Sequence, residues 1–174
     1  MTENYFIHKE KISLLLFWGL FFISQLSVTA QLNVEYGIIE LFNETNNISI
    51  TPGEDIVSEF ESSHEIIKIS VNFLPENMQN DVHRSWYINI KKSDIEWDSN
   101  LEINIRRTNN GEHIYNNYLS GGEDYLSINN YDNHFIEGNG KILNINCQIK
   151  LVGRSLIIPA KQYQTNIVFT LIDD

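Results

Sequence analysis

Four stretches of this chain alternate apolar and polar residues with almost no error, and that period of two constrains the fold more than any other feature. Successive side chains on a strand point to opposite faces, so such alternation describes a β-strand with one dry and one wet side. Ile67, Ile69, Val71 and Phe73 alternate with Lys68, Ser70 and Asn72, and Trp86, Ile88 and Ile90 enclose Tyr87 and Asn89. Leu101, Ile103 and Ile105 enclose Glu102 and Asn104. Leu143, Ile145, Cys147, Ile149 and Leu151 enclose Asn144, Asn146, Gln148 and Lys150. Shorter or less regular strands are expected over residues 32–41, 56–60, 125–128 and 166–171.

Between these runs lie clusters of turn-forming residues at 52–55, 75–81, 93–100, 109–111, 121–122, 129–130, 138–140 and 152–154. A short helical turn at 93–97 is the one departure from strand patterning. About seven to nine short strands, each with one wet face, predict an all-β fold: an immunoglobulin-like antiparallel β-sandwich. No repeat, linker or low-complexity tract divides it, so residues 31–174 read as one domain.

Residues 1–30 have the three parts of a secretory signal peptide. Lys9 and Lys11 close a polar start, residues 12–23 (ISLLLFWGLFFI) are apolar, and Val28-Thr29-Ala30 places small or slim residues where a peptidase recognises them. Cleavage after Ala30 makes Gln31 the first mature residue. The competing reading is a retained anchor, but a spanning helix needs about 20 predominantly apolar residues and this run is shorter. The expectation is therefore a signal-peptide helix, then export to a periplasm, the cell surface or the medium, with no membrane span after cleavage.

The leader holds two Glu and two Lys, which cancel, so the mature part keeps the full net charge of −11. An acidic surface repels nucleic acid and anionic lipid, which argues against both as partners. Cys147 is the single cysteine, so no internal disulfide is possible. Its place on the apolar side of an alternating run predicts a small buried hydrophobe rather than a nucleophile.

No catalytic residue, cofactor site or metal site is expected. His64, His83, His113 and His134 are spaced by 19 residues or more and form no local ligand pair. Asp124, Asp132, Asn133 and His134 lack the order of a calcium loop. A glycosidase needs two opposed carboxylates; Asp94, Glu96 and Asp98, with Glu123 and Asp124 as partners, are the nearest approach. Gly138-Asn139-Gly140 reads as a tight hairpin, and Arg106-Arg107 as a solvated hairpin tip. Asn43 and Asn47 begin glycosylation-type triplets, which only a eukaryotic secretory host would use. The residues set aside for ligand or partner contact are aromatics in polar, loop-like sequence: Trp97, Tyr115, Tyr118, Tyr125 and Tyr131. A flat ring with a polar edge stacks on sugars or anchors a protein interface.

The final stretch, residues 158–171 (IPAKQYQTNIVFTL), has a proline and a small residue, a spaced tyrosine and then an alternating strand. In this it resembles the closing segment of fimbrial and spore-coat-U-like surface proteins. That family often carries a cysteine pair, which this chain lacks. The resemblance implies a non-enzymatic exported β-sandwich acting in assembly or adhesion, with a protein partner or a second copy, and it supplies no catalytic residues. Residues 31–41, at an expected sheet edge, are the segment for strand exchange with another copy. The alternative is a carbohydrate-binding module whose tyrosine-rich loops take a glycan.

Overall fold

The computed structural model describes residues 29–36, 59–74, 84–113, 117–155, 158–159 and 161–173. Residues 1–28 of the leader, the 52–55 and 75–81 turns, Asn43, Asn47, His83 and Tyr115 lie outside them. The described residues form an all-β structure with no helix. Its strands are β1 (Thr29–Tyr36), β2 (Glu59–Glu61), β3 (Ile67–Leu74), β4 (Ser85–Glu96), β5 (Glu102–Arg107) and β6 (Glu112–His113). They continue with β7 (Leu119–Ser120), β8 (Leu126–Ile128), β9 (Asn133–Asn139), β10 (Ile142–Val152) and β11 (Gln164–Asp173).

These strands build two antiparallel sheets. The first runs β1-β3-β10-β5-β8, with β2 and β6 also paired to the long central β10, and the second runs β11-β4-β9-β7. Every alternating run of the sequence becomes a strand, and their dry sides meet. Ile69, Val71, Ile105, Ile145 and Cys147 from the first sheet and Trp86, Ile88, Ile90 and Ile136 from the second are almost wholly buried in one cluster. At about 2–3 kcal/mol for each large aliphatic side chain removed from water, this cluster is the main source of stability.

The sheets are bridged around Trp86. Its indole N–H donates to the Gly140 carbonyl at 2.8 Å, so its one polar atom is satisfied in the core. A Cβ on Gly138 would stand 2.8 Å from the Trp86 ring, which is why that position carries no side chain. Gly138-Asn139-Gly140 is not a hairpin: it carries the chain from β9 in the second sheet to β10 in the first. Gly138 is needed because the backbone passes against an indole between two layers, and Gly140 because it takes a left-handed φ of 60°.

Two further expectations are corrected. Residues 93–97 are not a helical turn; β4 continues through Glu96 because β11 lies alongside, pairing Asp94 with Thr165 and Ser93 with Asn166. In β10 the inward position is taken by Ile142, fully buried, rather than by Leu143. A register shift between Ile142 and Ile145 moves the phase, and Asn144 sits there with a left-handed φ of 56°. Such a bulge adds one unpaired residue and so breaks the period of two locally.

Candidate functional site

The sheet edges formed by β1 and β11 border a concave feature. β1 pairs with β3 alone and β11 with β4 alone among the described strands. At one end the edges are tied together: the Asp173 carboxylate accepts from the Arg84 guanidinium at 2.9 Å and from the Ala30 backbone N–H at 3.4 Å. Arg84 also lies over the Phe73 ring, 5.7 Å from its centroid. At the other end the edges part, leaving a groove of about 630 Å³ lined by Val34, Tyr36, Ile67, Ile167 and Phe169, among others. Ile167, Phe169 and Leu171 alternate inward along β11 yet stay only partly buried, and Tyr36 is 81% exposed.

Four of the five aromatics chosen from sequence are described, and each has its own setting. Trp97 packs against the core and donates its indole N–H to the Leu101 carbonyl at 2.8 Å, with the Lys92 ammonium 5.3 Å from its ring. Tyr125 is held between Arg106 and Lys150, at 4.6 and 5.5 Å from the ring centroid, and its hydroxyl donates to Gln148 Oε1 at 3.1 Å. Burial, and then the neighbouring Glu61 carboxylate, push its phenol above the ordinary value. Both rings thus serve the fold. Tyr118 and Tyr131 are 48% and 79% exposed and keep free faces. Tyr115 lies outside the described residues.

The carboxylates are engaged one by one. Asp94 accepts from Thr165 Oγ1 at 2.8 Å and Lys92 Nζ at 3.0 Å. Partial burial pushes its pKa up, but these bonds outweigh it and hold the carboxyl below its ordinary value. Glu96 pairs with Lys161 at 2.9 Å, and Asp98 caps a turn by accepting from the Asn100 N–H at 2.9 Å. Glu123 instead pairs with Arg107 at the far end of β5, roughly 20 Å of extended strand from Asp98. No group of three or more His, Cys, Asp or Glu residues converges to hold a metal among the described residues. Asp132 pairs with Lys91 at 3.1 Å, and His134 lies 3.6 Å from Glu137.

Arg107 overturns the reading of a solvated hairpin tip. It is 6% exposed, and its guanidinium donates to the Gly121 and Asn109 carbonyls, to Asn110 Oδ1 and to Glu123. Sequence could not show this, because Gly121 and Glu123 come from a loop that returns to β5 only in three dimensions. Cys147 is fully buried, and burial pushes its thiol from about 9 up to about 12, with a small opposing effect from Arg107. It is a packing residue. The groove residues Ile167 and Phe169 appear in sequence only as inward members of a strand; that their strand, β11, forms an edge among the described strands is a property of topology.

No helix among the described residues is long and apolar enough to cross a membrane. Set against known proteins, the chain matches no family model, no curated protein and no solved structure.

Proposed function

We propose that the chain is a non-enzymatic, exported or cell-surface β-sandwich of immunoglobulin-like type, acting in assembly or adhesion as a fimbrial-like subunit. The observation that carries this reading is the open edge. The neighbours β1-β3-β10-β5 follow the A-B-E-D order of an immunoglobulin-like sheet, and β11 beside β4 follows F beside C. Tyr163, just ahead of β11, donates its hydroxyl to the Pro159 carbonyl at 2.7 Å, the arrangement of a tyrosine corner at the start of strand F. Strand G of such a sandwich would lie on the outer side of β11. No described strand is there, and the groove opens at that place.

A free edge beside an apolar groove suits addition of a strand from another molecule: backbone bonds give affinity and alternate side chains fill the groove. The segment proposed for exchange, residues 31–41, begins in β1, which β3 alone holds among the described strands. The resemblance of residues 158–171 to fimbrial and spore-coat-U-like proteins supports the same role. Light scattering on the mature chain should show concentration-dependent oligomers. A truncation starting at Asn43 should abolish them, and a free peptide of residues 31–41 should compete with them. An oligomeric state unchanged by the truncation would rule out exchange through that segment.

A second reading, glycan binding, is favoured by the exposure of Tyr118 and Tyr131. It requires a glycan-array signal that falls on replacing either tyrosine with alanine.

A further inference from the structure

The peptide bond at which the leader is expected to be removed lies inside β1. Ala30 pairs with Phe73 and Gln31 with Asn72 across the β1–β3 ladder. The Ala30 N–H donates away from β3, to the Asp173 carboxylate. Rungs of an antiparallel ladder alternate between bonded and non-bonded pairs, so Ala30 with Phe73 is the non-bonded rung. Consistent with this, the Phe73 N–H donates to the Asn72 side chain at 3.0 Å. The next rung, Gln31 with Asn72, is then the bonded one and aims the Gln31 N–H into the sheet. Both amides flanking the Ala30–Gln31 bond are in use, and Ala30 is half-buried against the core.

A peptidase takes its substrate as a free extended strand, supplying its own backbone bonds and pockets for alternate side chains. Water adds to the Ala30 carbonyl carbon, the C–N bond breaks, and the Gln31 nitrogen takes up a proton and leaves as a free amine. Docked on β3, the chain offers neither the Ala30 methyl group to a pocket nor the Gln31 nitrogen to a proton donor. We propose that the folded domain shields its own processing site: cleavage after Ala30 takes place before β1 docks, and a chain that folds first keeps its leader and stays tethered. This rests on the reading of residues 1–30 as a leader.

The test uses the full chain, residues 1–174, folded in detergent and mixed with solubilised signal peptidase, with the new N-terminus read by mass spectrometry. The folded chain should be cut at Ala30–Gln31 at least about tenfold more slowly than the same chain diluted from denaturant straight into the peptidase, because cutting then waits for local opening. Joining Asn33→Cys to Ser70→Cys, which face each other across the ladder, should slow the cut further when oxidised, and reduction should restore it. Equal rates for folded and freshly diluted chain would overturn the shielding while leaving the leader reading intact. No cut at Ala30–Gln31 in any form would overturn both.

Discussion

Arg107 is the residue whose setting departs furthest from its sequence context. Its guanidinium is buried at the end of β5 and holds the 109–110 and 121–123 loops by four groups at once. Removing a buried charge leaves its acceptors unpaired, so Arg107→Ala should cost about 3 kcal/mol in denaturant unfolding. Glu123 keeps its side chain 76% exposed, so Glu123→Gln should cost well under about 1 kcal/mol. Equal costs would show that the ion pair, rather than the carbonyl contacts, does the holding. Cys147 gives a pH prediction. Its thiol is raised in the folded chain, so the unfolded chain ionises first as pH rises. The stability it supports is complete below about pH 9 and is lost between pH 9 and 12, by about 1.4 kcal/mol per unit. Urea titrations should show this slope in the wild type and a shallower one in Cys147→Ala.

Elements follow the sequence where burial is one-sided and depart from it where neighbours intervene. β3, the first half of β4, β5 and most of β10 were legible because each has one face in the core and a clean period of two. The second half of β4 was not, since Ser93-Asp94-Ile95-Glu96 has turn-like composition and becomes a strand only through its ladder with β11. The β10 bulge was hidden because Leu143 keeps the apolar pattern while Ile142 takes its place inside. Of the candidate site, the inward residues were legible but not the edge they form, because sheet order depends on contacts far apart in the chain. At the exit of β10, Gly153 has a φ of +88°, and a Cβ there would stand 1.9 Å from the Asn100 carbonyl oxygen. Gly153→Ala should therefore destabilise by about 2 kcal/mol or more, read as a lower midpoint with an unchanged m-value.

For the whole molecule, a net charge of −11 works against any contact between copies. Self-association through the open edge should therefore strengthen as salt rises from about 10 mM to 150 mM, where screening shortens from about 30 to 8 Å. Sedimentation velocity at the two salt concentrations checks this, and dissociation on adding salt would point to a charge-driven contact instead. The central claim is a two-sheet sandwich in which β11 is an edge that no described strand covers. Hydrogen exchange of the monomeric mature chain, resolved by residue, tests it most directly, because only every second amide of an edge strand is bonded to its neighbour. The account predicts slow exchange in the doubly flanked stretches, residues 67–71 of β3, 85–90 of β4 and 145–152 of β10, alternating fast and slow amides along residues 164–173, and loss of that alternation on assembly. Uniform protection of residues 164–173 in the monomer would contradict it.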